Sequence, residues 1–337
     1  MKKSLVALAA LAATGAFAQS TVTISGQVDV GMVNPVGAAK TRVDQAANGA
    51  NFINFGGSED LGGGLRATFR MNQRFSPDTG GMDGSASNRP LMQGESTVGL
   101  AGSFGAIRIG RALTAVQAWL PQSDPWGTYQ AASLAGGVGP GSYYTAGGSG
   151  GPNTTGDNVA GSASGVARID GVYYNSPSFG GLTVDVTYAP KANQLTGATV
   201  NAPRNFSSVA LSYAAGPLSV RFGQEKNRQG DEITAYQASY DFGVAKLQGG
   251  YTVLDLASTT VDRKGYTVAA IVPMGAITLK GGYTQSKNGS AAADLKKTGI
   301  GLDYALSKRT TLYTSYARDN ALATDKSGFD FGIRHAF

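Results

Sequence analysis

The chain has no cysteine and one histidine, His335, two residues from its C-terminus. Without cysteine there is no disulfide framework, no thiolate metal site and no thiol nucleophile. A single imidazole excludes metal sites that need two and leaves a Ser-His-Asp hydrolase almost without a base. Charge is sparse as well: Asp, Glu, Lys and Arg make up 15% of the 337 residues, 28 basic against 22 acidic. No arm or cluster of Lys and Arg is present, so this small excess does not point to nucleic acid. No apolar run reaches the roughly 20 residues that a membrane-spanning helix needs. The chain is therefore expected to hold no metal and no cofactor, and not to be an enzyme.

What is present is glycine and aromatic surface: 49 Gly, 15 Tyr and 13 Phe, in a chain that is 42% hydrophobic. That fraction is too high for a disordered protein. At the N-terminus Lys2 and Lys3 precede an apolar run from Leu5 to Ala13, followed by the small-residue pattern Ala16-Phe17-Ala18. This order of charge, short apolar stretch and small residues reads as a secretory signal peptide over 1–18, cut before Gln19. The alternative, an anchoring helix, needs a longer apolar run. Cleavage leaves residues 19–337 and, with Lys2 and Lys3 gone, a net charge of +4.

From Thr21 onward the chain alternates with a period of two, the period of a strand with two unlike faces. Val22, Ile24, Val28, Val30 and Met32 point one way, and Thr23, Ser25, Gln27, Asp29 and Gly31 the other. The pattern returns in Leu65–Met71, Leu182–Tyr188, Ile277–Tyr283 and Phe329–Phe337. A soluble sandwich alternates too, and the spacing of the connections separates the two. Seven short turns (near 58–63, 102–105, 176–181, 214–217, 241–243, 273–275 and 307–309) alternate with eight long polar loops (near 34–49, 75–93, 113–167, 190–204, 225–231, 254–262, 286–296 and 319–327). Fifteen connections make sixteen strands. An even strand number with tight turns on one side and long loops on the other predicts an all-β fold, a 16-stranded transmembrane antiparallel β-barrel of the outer-membrane type. A sheet in hydrocarbon must close to pair its backbone, and at sixteen strands the lumen is an aqueous channel. Tyr188, Tyr213, Tyr240, Tyr251, Tyr283, Tyr304 and Tyr316 fall near strand ends on the apolar face, where aromatic girdles are expected; ordinary β propensity also favours tyrosine.

Eight segments stand out: STVTISGQVDVG at 20–31, GSEDLGGGL at 57–65, STVGLAGSFGAIRIGR at 96–111, YYNSPSFGGL at 173–182, AAGPLSV at 214–220, ASYDFGVAKL at 238–247, YALSKRT at 304–310 and GIRHAF at 332–337. In this order they resemble the trimeric general-diffusion porins of Gram-negative outer membranes, in their β-proteobacterial branch. The resemblance implies a homotrimer in contact with outer-membrane lipid and lipopolysaccharide, each barrel passing small hydrophilic solutes and ions. It implies that the long third loop, 113–167, folds into the lumen as the pore constriction. It also implies that the terminal aromatic, Phe337, is read by the outer-membrane insertion machinery.

Alternation places Arg66, Arg70, Arg74, Arg108, Arg221, Lys246, Lys280 and Arg334 inward, against the acids Asp29, Glu95, Asp185, Asp303 and Asp330. Arg66, Arg70 and Arg74 form a ladder on one strand, a field that attracts anions. Members of the family usually carry Arg where this chain has Phe52, and often basic residues where it has Gly94-Glu95. The expected preference for anions is therefore mild, carried mainly by Arg70 with help from Arg66, Arg74 and Arg108. Across from the ladder the loop is expected to bring Asp124 and Trp126. Its aromatics, Trp119, Trp126, Tyr129, Tyr143 and Tyr144, either stack sugars or aromatic acids or only anchor the loop to the wall.

Overall fold

The computed structural model describes residues 21–38, 40–45, 49–82, 91–92, 94–127, 131–134, 168–190, 205–226, 232–255, 262–287 and 294–337. The expected signal peptide, 1–18, lies outside the described residues, as do most of the third loop and its Tyr129, Tyr143 and Tyr144. The strands are β1 (Thr21–Asn34), β2 (Arg42–Gln45), β3 (Phe52–Gly62), β4 (Leu65–Ser76), β5 (Gly81–Met82), β6 (Glu95–Gly102), β7 (Gly105–Leu113), β8 (Arg168–Asn175), β9 (Leu182–Ala189), β10 (Phe206–Ala215), β11 (Leu218–Lys226), β12 (Glu232–Asp241), β13 (Lys246–Asp255), β14 (Arg263–Met274), β15 (Ile277–Lys287), β16 (Leu295–Ala305), β17 (Thr310–Asp319) and β18 (Ser327–Ala336). β2 and β5 are short additions within two long connections; the other sixteen pair in chain order, every pair antiparallel, as one closed sheet. The connections between strands follow the expected alternation of short and long; the first turn lies at Gly63–Gly64, later than expected, because Ser58–Gly62 continue β3.

The sheet closes between its two ends. β1 pairs with β18 from Gln27↔Ala336 to Asn34↔Phe329, and Gly26 and Phe337 exchange two backbone hydrogen bonds of 3.0 Å. On its other side β1 changes partner midway, pairing with β3 over Thr21–Gln27 and with β2 over Val30–Val33. Asp29 falls in the gap between them. There the carboxamide of Asn51 stands in for a strand: its Oδ1 accepts from Asp29 N–H (2.5 Å) and its Nδ2 donates to Asp29 C=O (3.1 Å). Across the closing seam the Tyr313 hydroxyl donates to Asp29 Oδ1 (2.6 Å). Its ring stands against Gly31 and Gly332, where side chains would collide with it.

The apolar face of each strand points outward, and nothing among the described residues covers it: Val22 is 66% exposed, Ile300 59% and Phe331 51%. In water such a surface, extending around the whole molecule, would drive aggregation; in a bilayer it meets acyl chains. Part of it is an aromatic row. Phe222, Tyr236, Tyr251 and Tyr266 are consecutive cross-strand neighbours on β11 to β14, and Phe222 and Tyr236 are in tilted contact at 5.3 Å. Tyr213, Tyr240 and Tyr304 stand instead beside short turns. The glycines of the turns serve conformation: Gly62, Gly63 and Gly64 have φ of +85°, +60° and +79° with open space around them.

A charge on the outer face should therefore be costly and one on the inner face tolerated. Ile300→Lys, at the middle of β16, is expected to destabilise the folded barrel by about 2–4 kcal/mol. Thr68→Lys, facing inward on β4, should cost much less. Equilibrium urea unfolding in lipid vesicles measures both, and equal losses would contradict the assignment of faces.

Candidate functional site

After β7 the chain turns into the lumen. Thr114 Oγ1 donates to Glu225 on β11 (2.5 Å), Ala115 N–H to Thr187 Oγ1 on β9 (2.9 Å) and Val116 N–H to Ser208 Oγ on β10 (3.1 Å). A 3₁₀ turn over Leu120–Ser123 follows, its Leu120 C=O accepting from Gln237 Nε2 on β12 (2.6 Å). Farther on, Ala132 N–H donates to Ser315 Oγ on β17 (3.2 Å), and Ala131 N–H to the Asp330 carboxylate on β18. Every one of these wall residues points inward. The described part of the third loop, 114–127 and 131–134, thus lies inside the barrel, along its wall from β9 to β18.

Small residues on the wall make that approach possible. A Cβ on Gly223 would stand 2.5 Å from Trp119, one on Gly282 2.5 Å from Leu134, and one on Gly299 2.6 Å from the Ala132 carbonyl oxygen. Between loop and wall there is a dry layer inside an otherwise polar lumen. Trp119 packs with Val116, Leu120, Ala210, Ile233 and Leu254, and Trp126 with Leu134, Ala269 and Ala317. The two tryptophans are 4% and 1% exposed. Burying each large apolar side chain contributes about 2 kcal/mol, which offsets the ordering cost of the loop.

Asp124 and Trp126 therefore do not face the arginine ladder, contrary to the expectation from sequence. Trp126 is buried against β16 and β17. Asp124 accepts from Trp126 N–H (3.0 Å), Leu134 N–H (3.0 Å) and Ser133 Oγ (2.7 Å), which ties two parts of the loop together. It interacts electrostatically with Lys297 on β16. The carboxylate is drawn inward by the backbone donors of its own loop, and the ring by apolar burial.

The space left beside the loop contains a cavity of about 300 Å³, bordered by Phe52, Arg70, Arg74, Glu95, Arg108 and Arg168, by Ala112 and Leu113 at the end of β7, and by Ala118 of the loop. Glu95 lies between two guanidinium groups. Its Oε1 accepts from Arg108 Nη1 (2.6 Å) and Thr97 Oγ1 (3.0 Å), and its Oε2 lies 3.3 Å from Arg70 Nε. Arg108 is held further by Asn175 (Nη2 to Oδ1, 3.3 Å) and lies 5.5 Å above the Tyr173 ring. Arg70 Nε also donates to Asn54 Oδ1 (2.9 Å). The Arg70 side chain is 53% exposed, and its two terminal nitrogens make no hydrogen bond among the described residues. Arg66, four residues along β4 and about 13 Å away at the usual strand rise, does not border the cavity.

Of the residues singled out from sequence, Arg70, Arg74, Arg108 and Glu95 come together, while Arg66, Asp124 and Trp126 stand apart from them. Arg168 was missed: its Nε donates to Gly94 C=O (2.7 Å), which places the side chain at the cavity. It sits where the long loop meets β8, and no alternation assigned it a face. Asn54 was missed too; its signal was its position, two residues after Phe52 and on the same face.

A closed, polar-lined barrel with one loop folded in and a basic wall opposite it defines a transmembrane channel. The profile of the Gram-negative porins matches residues 4–324, and the chain belongs to that family. It is 34% identical to outer membrane porin protein 32 of Delftia acidovorans, with both chains covered in full. To the major outer membrane protein P.IB of Neisseria meningitidis it is 27% identical, again over the whole of both. The anion-selective porin from Comamonas acidovorans superposes with a TM-score of 0.76 at 25% identity, covering 95% of this chain and 100% of that one. OmpT of Vibrio cholerae, solved in a trimer form, has the same fold at a TM-score of 0.68 and 13% identity, with coverage of 94% and 99%.

Two results should follow from this arrangement. Widening Gly282 and Gly299 to Val removes the room for Leu134 and Ala132, so the loop is pushed from the wall into the remaining lumen and single-channel conductance should fall. An unchanged conductance in a folded barrel would mean that the loop's seat does not depend on those glycines. Glu95→Gln removes the one acid bordering the cavity among the described residues, and the reversal potential should shift toward anions, more so in dilute salt where screening is weak.

Proposed function

We infer that this protein is a passive diffusion channel of the Gram-negative outer membrane, a water-filled pore for small hydrophilic solutes and ions with a mild preference for anions. The observation that carries this reading is Arg70 on the inward face of β4, held through Nε and half exposed, with no hydrogen bond on its terminal nitrogens among the described residues. Arg74 and Arg168 add positive charge at the same cavity, and Glu95 offsets one charge of the group. Fixed charges act over about 10 Å at 0.1 M salt, so these residues weigh more than Arg66. The name of the anion-selective relative agrees in sign.

The reading includes export through residues 1–18, assembly as a homotrimer whose apolar faces meet partner barrels, outer-membrane lipid and lipopolysaccharide, and recognition of Phe337 by the insertion machinery. Nucleic acid, cofactors and catalysis have no place in it. A channel specialised through the loop's aromatics is not favoured, because Trp119 and Trp126 are buried against the wall.

Purified protein in planar bilayers tests the proposal. Stable conductance is expected, with a reversal potential in a chloride gradient showing mild anion preference, and Arg70→Gln should move it toward cations. If Arg70→Gln leaves the reversal potential unchanged in dilute salt, Arg70 does not set the selectivity; if no conductance is seen at all, the channel reading fails.

A further inference from the structure

We propose that the cavity between Phe52 and Arg70 is a subsite for small monocarboxylates with an apolar or aromatic body. This rests on the channel reading above and adds a solute class to it.

The cavity's lining is of two kinds: Phe52, Leu113 and Ala118 are apolar, and Arg70 and Arg74 are cationic. Phe52 and Arg74 are direct cross-strand neighbours, so apolar and cationic surface adjoin on one wall. Arg70 stands opposite Gly56 in the β3–β4 register and leans along β3 to reach Asn54. That hydrogen bond fixes the guanidinium plane at Nε and leaves the fork of terminal nitrogens for a solute. The fork matches a carboxylate through two parallel N–H···O bonds. Glu95 does not take that edge, since its oxygens lie on Nε of Arg70 and Nη1 of Arg108. By reaching Asn54, Arg70 comes within two residues of Phe52 on the same strand face, about 7 Å. That spacing is the length of a one-ring acid. A carboxylate on the fork then lays its body beside Phe52, where apolar surface leaves water. A polyhydroxy acid of equal charge would set hydroxyls against the same ring and lose hydrogen bonds to water. The loop tryptophans, being buried, play no part.

The test titrates the chloride current of the full-length protein, in planar bilayers at neutral pH, with sodium benzoate and separately with sodium gluconate. Benzoate should reach half-block at about tenfold lower concentration, a difference of about 1.4 kcal/mol. In Phe52→Ser the ratio of the two half-blocking concentrations should fall to about one, and in Arg70→Gln block by both acids should weaken. In the unmodified protein, adding hydroxyls to the ring, as in 4-hydroxybenzoate and 3,4,5-trihydroxybenzoate, should weaken block stepwise, a readout that stands even if Phe52→Ser fails to assemble. Equal block by benzoate and gluconate, or a hydroxyl series without a trend, overturns the subsite and leaves the channel intact. A protein that passes no chloride overturns both.

Discussion

Backbone hydrogen bonding where no water can help is the constraint on which the rest of this molecule depends. In hydrocarbon an unpaired peptide group costs several kcal/mol, so a spanning sheet has to close. The mutual bonds between Gly26 and Phe337 and the pairing of β1 with β18 are that closure. The same requirement explains Asn51. Where β1 leaves β3 and has not yet met β2, a side-chain amide supplies the donor and acceptor that a strand would.

Closure creates a lumen, and the lumen is not uniformly wet. Ala210, Ile233 and Leu254 point inward yet are apolar, because Val116, Trp119 and Leu120 lie on them. The barrel thus has a small core on one side of its interior and an open polar face on the other. Glycine divides in the same way. Gly62 to Gly64 are present for a backbone conformation, and Gly223, Gly282 and Gly299 for the room that a missing side chain leaves.

Most of this architecture was legible in the sequence because the period of two is rigid: one inward residue fixes its whole strand. Strand number, turn order, the outward faces and the inward direction of Arg70, Arg74, Arg108 and Glu95 all follow from it. The positions of Asp124 and Trp126 did not, because a loop has no period, and the partners that bury them, Ala269 and Ala317 among them, are distant in sequence. Inward-facing apolar residues such as Ile233 were the available signal, since a solvated wall gives no reason for them. Arg108 shows a further limit. Alternation gives its direction, but only the structure shows that Glu95, Asn175 and Tyr173 already hold it.

The course of the third loop also has a mechanical consequence. A hoop of strands ovalises easily, because bending it changes only the angles between neighbours. The loop is fastened to strands from β9 to β18, and flattening the hoop on that side would compress the packed layer beneath it, which resists as a close-packed solid does. The loop therefore works as an internal strut, and the shape of the aperture is decoupled from lateral pressure in the surrounding membrane.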